Sequence, residues 1–182
     1  MNNRIEPLQA PYTSQVTDAF NVVMPEGIPP LGIFRTMAKN PRVLSRMVSG
    51  GLLDKGSISL ADRELVILRA CALCKAEYEW GVHVTAFAKK AGFSPAQIED
   101  TLNKHSNSSI WSETQTLLIS LVDQLHHQQQ IDDILWEQLG HFYEEEQLIE
   151  LVMLAGLYHA VSFVVNAFKI KKEPFAASFP CG

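Results

Sequence analysis

The sequence predicts an all-α fold, a helical bundle in a single domain, and three observations support this. Apolar residues recur at spacings of three and four, as in Leu65, Leu68 and Ala72, which is the period of a helix with one buried side. Helix-capping residues and prolines stand where such helices would begin, and no stretch of useful length has the pattern of a strand. A length of 182 residues with 47% hydrophobic residues suits one domain with a sizeable core.

Composition narrows the classes of function. The net charge of −5 argues against nucleic-acid binding, which normally needs a basic surface. Three cysteines are an odd number, and the N-terminal stretch lacks the apolar segment of a secretion signal, so we expect a reducing, cytoplasmic location. We expect a small-molecule substrate, further copies of this chain as partners, no cofactor, and neither nucleic acid nor a membrane.

The N-terminal third is predicted to hold an arm and three short helices. Residues 1–12 contain Pro7 and Pro11 and are expected to form an extended arm, so that the helical domain spans residues 13–182. The predicted helices are one from Ser14 to Val23, one carrying Leu31, Phe34 and Met37, and one that begins at Pro41 and stops at Gly50.

The central stretch predicts two helices rich in polar and ionisable residues. Ser59 is a suitable N-cap for the first helix, and Glu64 lies on its buried side, where a carboxylate needs a partner. The second helix is predicted from about residue 77 to residue 91, ending at Gly92. Glu79 and His83 are four residues apart and therefore share a face of this helix.

Start signals predict the remaining helices. Ser94, Pro95 and Gln97 form a capping pattern for a helix to about residue 103, and Ser112 with Gln115 repeats the pattern. Asp132 is predicted to cap a short helix that ends at Gly140, and the last helix is predicted over about residues 145–170. His126 and His127 are adjacent and point about 100° apart on a helix, so they favour a solvated helix end over a metal site.

The last predicted helix is apolar on most of its surface. Glu150, His159, Ser162 and Asn166 interrupt it, which argues against a membrane span. A helix of this kind is buried in a core or between subunits. We favour the second and expect a homo-oligomer.

Five strings of residues resemble the carboxymuconolactone decarboxylase family, which includes thiol peroxidases of the alkylhydroperoxidase D type. These are Glu64-Leu-Val-Ile-Leu-Arg69, Ala76-Glu-Tyr-Glu-Trp80 with His83, Ala91-Gly-Phe-Ser94, Gly156-Leu-Tyr158-His159 and Asn166-Ala-Phe168. The resemblance covers about two thirds of the chain. It implies an alkylhydroperoxidase D-like helical bundle, a trimer or hexamer, and a pocket that Phe34 and Met47 would line if they are not core residues.

The chain departs from the peroxidase branch of that family at the cysteines. That branch has a glutamate, a Cys-x-x-Cys pair, and a histidine four residues after the second cysteine. Placing His83 on that histidine puts Glu64 on the glutamate and Ala76 and Glu79 on the two cysteines. Cys71 and Cys74 lie five residues earlier, near the predicted C-terminal end of a helix, where the helix dipole disfavours a thiolate.

The function predicted from these residues is cofactor-independent acid–base catalysis, a decarboxylation or related proton transfer, on a small organic acid, lactone or ketone. Glu64 and His83 would form a proton relay, and Glu79 would tune the histidine or act as the acid. By resemblance the three side chains should converge in one pocket, with a carboxylate oxygen hydrogen-bonded to the ring of His83.

Three further residues and two other functions complete the prediction. Tyr78 and Trp80 would shape the pocket, although bulky core residues need no such role, and His159 would face the pocket or be an ordinary core histidine. One alternative is a thiol peroxidase that uses Cys71 and Cys74. The other is a non-catalytic oligomeric protein that binds a small molecule, in which the acids and His83 form only a buried polar network.

Overall fold

The structure, a computed structural model, describes residues 3–103 and 108–180. Over these residues the chain forms nine α-helices, a π-helical turn Val84–Ala88, a 3-10 turn Ser108–Ile110 and no strand. The all-α prediction is therefore confirmed. The helices are α1 (Ser14–Val23), α2 (Gly32–Met37), α3 (Pro41–Ser49), α4 (Leu60–Leu73), α5 (Glu77–His83), α6 (Pro95–Asp100), α7 (Glu113–Gln128), α8 (Asp133–Gly140) and α9 (Glu145–Ala167).

Local capping explains where several of these helices begin. The Ser59 hydroxyl accepts a hydrogen bond from the Asp62 amide at 3.1 Å and starts α4 at the predicted residue. Ser94 and Ser112 each form a capping box with the glutamine three residues later, as the sequence predicts. Two helices end earlier than predicted, α6 at Asp100 and α9 at Ala167.

The predicted helix over residues 77–91 is not a continuous α-helix. It changes at His83 into the π-helical turn Val84–Ala88, and the turn after it ends at Gly92, whose φ is +81°. The carbonyl of Gly81 accepts from the Thr85 hydroxyl at 3.0 Å and from the Ala177 amide of the C-terminal tail at 3.2 Å. The C-terminal tail is therefore bound to α5 just before the change of helical register.

Helix α4 forms the centre of the core. Its residues 64–71 are all buried, and it packs against α5, α7 and α9. Arg69 is fully buried and donates to both carboxylate oxygens of Asp123 on α7, at 2.6 and 2.8 Å. It also donates to the carbonyls of Thr101 and Asn103. One guanidinium thus joins α4 to α7 and to the end of α6.

The N-terminal residues 3–12 contain no helix and lie along their own chain. The Arg4 amide donates to the Phe168 carbonyl at 2.9 Å, and the Leu8 amide donates to the Arg35 carbonyl at 3.0 Å. This segment therefore connects α2 to the end of α9.

Helix α9 is long and apolar enough to cross a membrane, judged by length and composition alone. One side of it packs into the core through Leu151, Leu154 and Tyr158. The opposite side leaves Ile149, Met153 and Phe163 more than 60% exposed. The helix is thus a core element that keeps an apolar outer face.

Candidate active site

A cavity of about 270 Å³ lies between α5, α9 and the N-terminal helices. Most of its wall is apolar and includes Phe34, Met47, Leu53, Val82, Phe87, Val161 and Phe175. Three ionisable side chains of the described residues reach this wall, namely Glu79, His83 and Tyr158. An apolar cavity with a few converging polar groups is the usual form of a small-molecule site.

Three helices supply the polar groups. Glu79 and His83 are one turn apart on α5, and the π-helical turn that follows places Phe87 at the cavity wall. Glu64 comes from the centre of α4, and Tyr158 comes from the buried side of α9. Turns of π-helix occur often at functional sites, because the extra residue redirects the side chains around it.

A continuous hydrogen-bonded chain runs through His83. Its Nδ1 lies 2.7 Å from Glu64 Oε2, and its Nε2 lies 2.9 Å from the Tyr158 hydroxyl. A carboxylate only accepts, so Nδ1–H donates to Glu64 and Nε2 accepts from Tyr158 in the neutral imidazole. Burial raises the pKa of Tyr158 well above its ordinary value, with a smaller contribution from Glu79, so its hydroxyl remains a donor at neutral pH.

Arg63 compensates the buried charge of Glu64. The Glu64 side chain has no solvent exposure, and its Oε1 accepts from Arg63 Nε at 3.0 Å and from Nη2 at 2.8 Å. The Arg63 guanidinium also lies 5.4 Å from the centre of the Phe87 ring. A buried carboxylate with a bidentate arginine partner can support a positive charge on His83 without leaving the site unbalanced.

Glu79 faces the cavity without a hydrogen bond to His83. Its Oε2 lies 4.0 Å from Nε2 of the histidine, which is beyond hydrogen-bond distance. Burial raises the pKa of Glu79 to about 7, although the nearby His83 lowers it and Glu173 raises it further. At neutral pH this carboxyl is therefore divided between its acid and base forms.

The structure brings Glu64, Glu79 and His83 together, as expected from their spacing and the family resemblance. It places Tyr78 and Trp80 elsewhere. Both are buried, and their polar atoms bond away from the cavity: the Tyr78 hydroxyl donates to Glu173 at 2.7 Å and Trp80 Nε1 donates to Thr101 at 3.0 Å. Their expected position in the pocket wall is wrong, because each lies about 100° from Glu79 around α5 and so points to another side of the helix.

His159 is also absent from the cavity wall, so the first of its two expected roles is wrong. It lies on another side of α9, where its Nε2 is 2.9 Å from Nδ1 of His126. His126 is therefore not the solvated helix end that the sequence favoured, whereas the adjacent His127 is exposed. The cause is tertiary packing, which brings the end of α7 against α9.

The thiols Cys71 and Cys74 do not line the cavity, and neither forms a disulfide. Cys71 is fully buried, and burial raises its pKa well above the ordinary value, helped by the charge of Glu79. Burial also raises the pKa of Cys74, against an opposing effect of the Ser162 hydroxyl. Little thiolate is available on either residue near neutral pH.

Two components of the site lay beyond sequence reasoning. Tyr158 belongs to a string that resembles the family, but no spacing links it to a histidine 75 residues earlier. Arg63 precedes Glu64 directly, and a neighbouring cation was the one available signal for its role. Phe34 and Met47, which the resemblance placed in the pocket wall unless they were core residues, line the cavity.

A family model matches part of the chain, and solved structures share its fold. Residues 41–106 match the model of the carboxymuconolactone decarboxylase family, a segment that includes Glu64, Glu79 and His83. No curated protein has a sequence that matches this chain significantly. The match agrees with the family expected from the sequence strings.

Solved structures share the fold across almost the whole chain. An uncharacterized peroxidase-related protein from Silicibacter sp. TM1040 is 15% identical with a TM-score of 0.79, over 96% of this chain and 93% of that one. The alkylhydroperoxidase AhpD core of a peroxidase-related protein from Ralstonia eutropha JMP134 is 12% identical with a TM-score of 0.77, over 93% of both chains.

A third structure carries a ligand. It is an alanine variant of the debrominase Bmp8 in complex with 2,3,4-tribromopyrrole, 20% identical with a TM-score of 0.73, over 96% of this chain and 94% of that one. At these identities the likeness concerns the fold, and it confirms the expected alkylhydroperoxidase D-like bundle.

Proposed function

We propose that this chain, a member of the carboxymuconolactone decarboxylase family over residues 41–106, is an enzyme of cofactor-independent acid–base catalysis on a small, neutral carbonyl compound such as a lactone or ketone. The observation that carries the proposal is the apolar cavity whose ionisable wall groups, among the described residues, are Glu79, His83 and Tyr158. A dry cavity with groups of different proton affinity suits proton transfer near neutral pH.

The cavity wall favours an uncharged substrate over an anion. No lysine or arginine of the described residues belongs to the wall, and Arg63 already donates two hydrogen bonds to Glu64. A bound carboxylate would meet Glu79 without a cation to offset its charge. A compact molecule with one carbonyl and an apolar body fits the wall better, and the debrominase shows a related fold holding a small halogenated ring.

The proposed mechanism is an enolisation. The Tyr158 hydroxyl bridges His83 to the cavity, so a proton on the carbon beside the carbonyl moves to the Tyr158 oxygen as the hydroxyl proton moves to His83 Nε2. The C–H electron pair forms the enol double bond, and protonated Glu79 gives its proton to the carbonyl oxygen. Glu64 stabilises the imidazolium through Nδ1. Reversal at another carbon isomerises the substrate.

The other two functions have less support. A thiol peroxidase needs an accessible, low-pKa cysteine, whereas burial raises the pKa of both Cys71 and Cys74. A non-catalytic binding protein would have no need to place a carboxyl of pKa about 7 beside an imidazole in a cavity wall.

Three probes separate these functions. The first is deuterium incorporation from heavy water into neutral lactones and ketones, followed by NMR; the second is carbon dioxide release from carboxymuconolactone; the third is thiol-dependent turnover of tert-butyl hydroperoxide. We expect exchange with a lactone or ketone, unchanged within a small factor in a Cys71→Ala/Cys74→Ser double variant. Hydroperoxide turnover that this double variant abolishes would replace our proposal with a peroxidase, and ligand binding without exchange would favour the binding protein.

The ionisation of Glu79 predicts a pH effect that needs no substrate. Since the folded state raises the pKa of this carboxyl to about 7, the folded protein is favoured while the group is protonated. That stabilisation is complete below the ordinary pKa of 4.5 and is lost as the pH rises through about 7. Relative to Glu79→Gln, the free energy of unfolding of the wild type should fall by on the order of 3 kcal/mol across this range.

Urea denaturation at several pH values measures this effect. Glu113→Gln removes an exposed carboxylate of α7 and is the matched control, for which we expect the pH dependence of the wild type. Parallel curves for the wild type and Glu79→Gln would mean that Glu79 has an ordinary pKa. In the catalytic assay the same ionisation predicts a rate that falls above about pH 7.

We also infer that the exposed apolar face of α9 contacts further copies of this chain in a homo-oligomer, a trimer or hexamer. Ile149, Met153 and Phe163 line this face, with Gly156 and Ala160 between them. Single apolar residues scattered over a surface are normal, whereas a continuous exposed apolar stripe is typical of a surface that contacts another protein. Phe163→Glu should dissociate the assembly in light scattering at micromolar concentration, while Ile134→Glu, an equally exposed site on α8, should not. A monomeric wild type would contradict the inference.

A further inference from the structure

A second cluster of ligand-type side chains lies outside the cavity wall. Cys74 caps the C-terminal end of α4, His126 is in the last turn of α7, and His159 is on α9. The Cys74 sulfur and one ring nitrogen of each histidine lie within 4.8 Å of one another, and all three residues are half-buried. Three helices far apart in sequence therefore present one donor atom each to a common point.

The hydrogen bonds orient His159 as a ligand. Its Nδ1–H donates to the Ala155 carbonyl at 2.8 Å, which leaves the lone pair of Nε2 directed at Nδ1 of His126, 2.9 Å away. Histidine ligands of metals are commonly held through the opposite ring nitrogen by a backbone carbonyl in this way. A shift of the His126 ring proton from Nδ1 to Nε2 keeps that ring neutral and leaves two lone pairs directed at the same place.

The electrostatics of the cluster favour a cation. The C-terminal ends of α4 and α7 meet here, and each carries the negative end of a helix dipole. The His126 ring is half-buried beside His159, and a neutral imidazole is the form of histidine that binds metals. The same dipole disfavours a bare thiolate on Cys74, but a bound cation reverses that preference.

We propose that Cys74, His126 and His159 form a binding site for a zinc-class divalent cation, separate from the acid–base site. One thiolate and two imidazoles are a ligand set that suits Zn²⁺, and three protein ligands leave a fourth position for water. Tetrahedral zinc at ~2.0–2.3 Å from each ligand would place the donor atoms roughly 3–4 Å apart. The observed separations need only small movements of the side chains to reach this.

The site would join the three helices that build the core. Cys74 follows α4 directly, and its carbonyl already accepts from the Asn166 side chain of α9 at 2.8 Å. A cation held there would link α4, α7 and α9 at one end of the bundle. None of its ligands belongs to the cavity wall, so its loss should affect stability and leave the chemistry at Glu79 and His83 in place.

The test uses the full chain, reduced and freed of metal, in a Cys181→Ser background, because Cys181 lies outside the described residues. Isothermal titration with Zn²⁺ should give one site per chain with a dissociation constant of about 1 µM or tighter. Co²⁺ should give the absorption of thiolate-to-metal charge transfer, and Zn²⁺ should raise the midpoint of thermal unfolding. Cys74→Ser should abolish the charge-transfer absorption, and His159→Ala should weaken binding by at least ~10–100-fold.

His127→Ala removes an exposed histidine beside the cluster and is the matched control, for which we expect unchanged binding. Circular dichroism of the metal-free variants checks their folds, and the nearly isosteric Cys74→Ser keeps the test valid if a histidine variant fails to fold. The proposal is overturned if the wild type shows no saturable binding, or if Cys74→Ser and His159→Ala bind Zn²⁺ as tightly as the wild type does.

Discussion

Replacing His83 by alanine is expected to lower kcat/KM for the true substrate by ~10²–10⁴-fold, the usual contribution of a general acid–base group. The substitution removes the ring that joins the Tyr158 hydroxyl to the Glu64 carboxylate. Glu64 keeps its two hydrogen bonds from Arg63, so the remaining charge stays compensated and the fold should survive. Steady-state kinetics of the exchange reaction, with circular dichroism of the variant, measure both effects.

His141→Ala is the matched control, because this histidine is exposed and distant from the cavity wall. If Glu64 and His83 act together in one relay, the effects of their substitutions on the rate should not be additive. Glu64→Gln should lower the rate of the wild type strongly but add little to the loss in His83→Ala. Activity of His83→Ala within tenfold of the wild type would exclude His83 from the proton transfer and would contradict the proposed mechanism.

The second large effect concerns stability. Arg69→Met is expected to lower the free energy of unfolding by ~3–5 kcal/mol, towards the lower end because Asp123 keeps partial contact with water. The substitution removes the ion pair with Asp123 and leaves the buried carbonyl of Thr101 without its donor. Methionine fills much of the same volume, so the loss reports the polar contacts rather than a cavity.

Equilibrium denaturation in urea measures this loss. Arg46→Met removes an exposed arginine of α3 and should change the free energy of unfolding by no more than ~0.5 kcal/mol. Adding Asp123→Leu to Arg69→Met should recover part of the stability, because it removes the carboxylate left without a partner. A change below ~1 kcal/mol for Arg69→Met alone would show that water replaces the guanidinium at these carbonyls.

The residues of the proton relay show which contacts of the site could be predicted from the sequence. Glu79 and His83 are one helical turn apart, so their shared face followed from spacing alone. The approach of Glu64 to His83 was expected through the family resemblance, since the two residues lie on different helices 19 positions apart. Tyr158 was not assigned a role, because nothing in α9 itself indicates which other helix its hydroxyl will meet.

Helix α5 shows a feature that could not be predicted from the sequence. Its periodicity predicted a regular helix over residues 77–91, and the capping residue Gly92 does end it. The π-helical turn instead begins just after Gly81, whose carbonyl accepts from the Ala177 amide, 96 residues later in the chain. An interaction of that range has no local signal in the sequence.

By itself the sequence determined the helical class and the starts of the helices at Ser59, Ser94 and Ser112, and it showed the resemblance to the carboxymuconolactone decarboxylase family. Caps and apolar periodicity act within three or four residues, so they can be recognised in the sequence without knowledge of the fold. Tertiary structure decided that Tyr158 completes the relay, that Tyr78 and Trp80 face away from the cavity, and that His126 meets His159. These depend on how α4, α5, α7 and α9 rotate against one another, and many side chains distant in sequence set that rotation together.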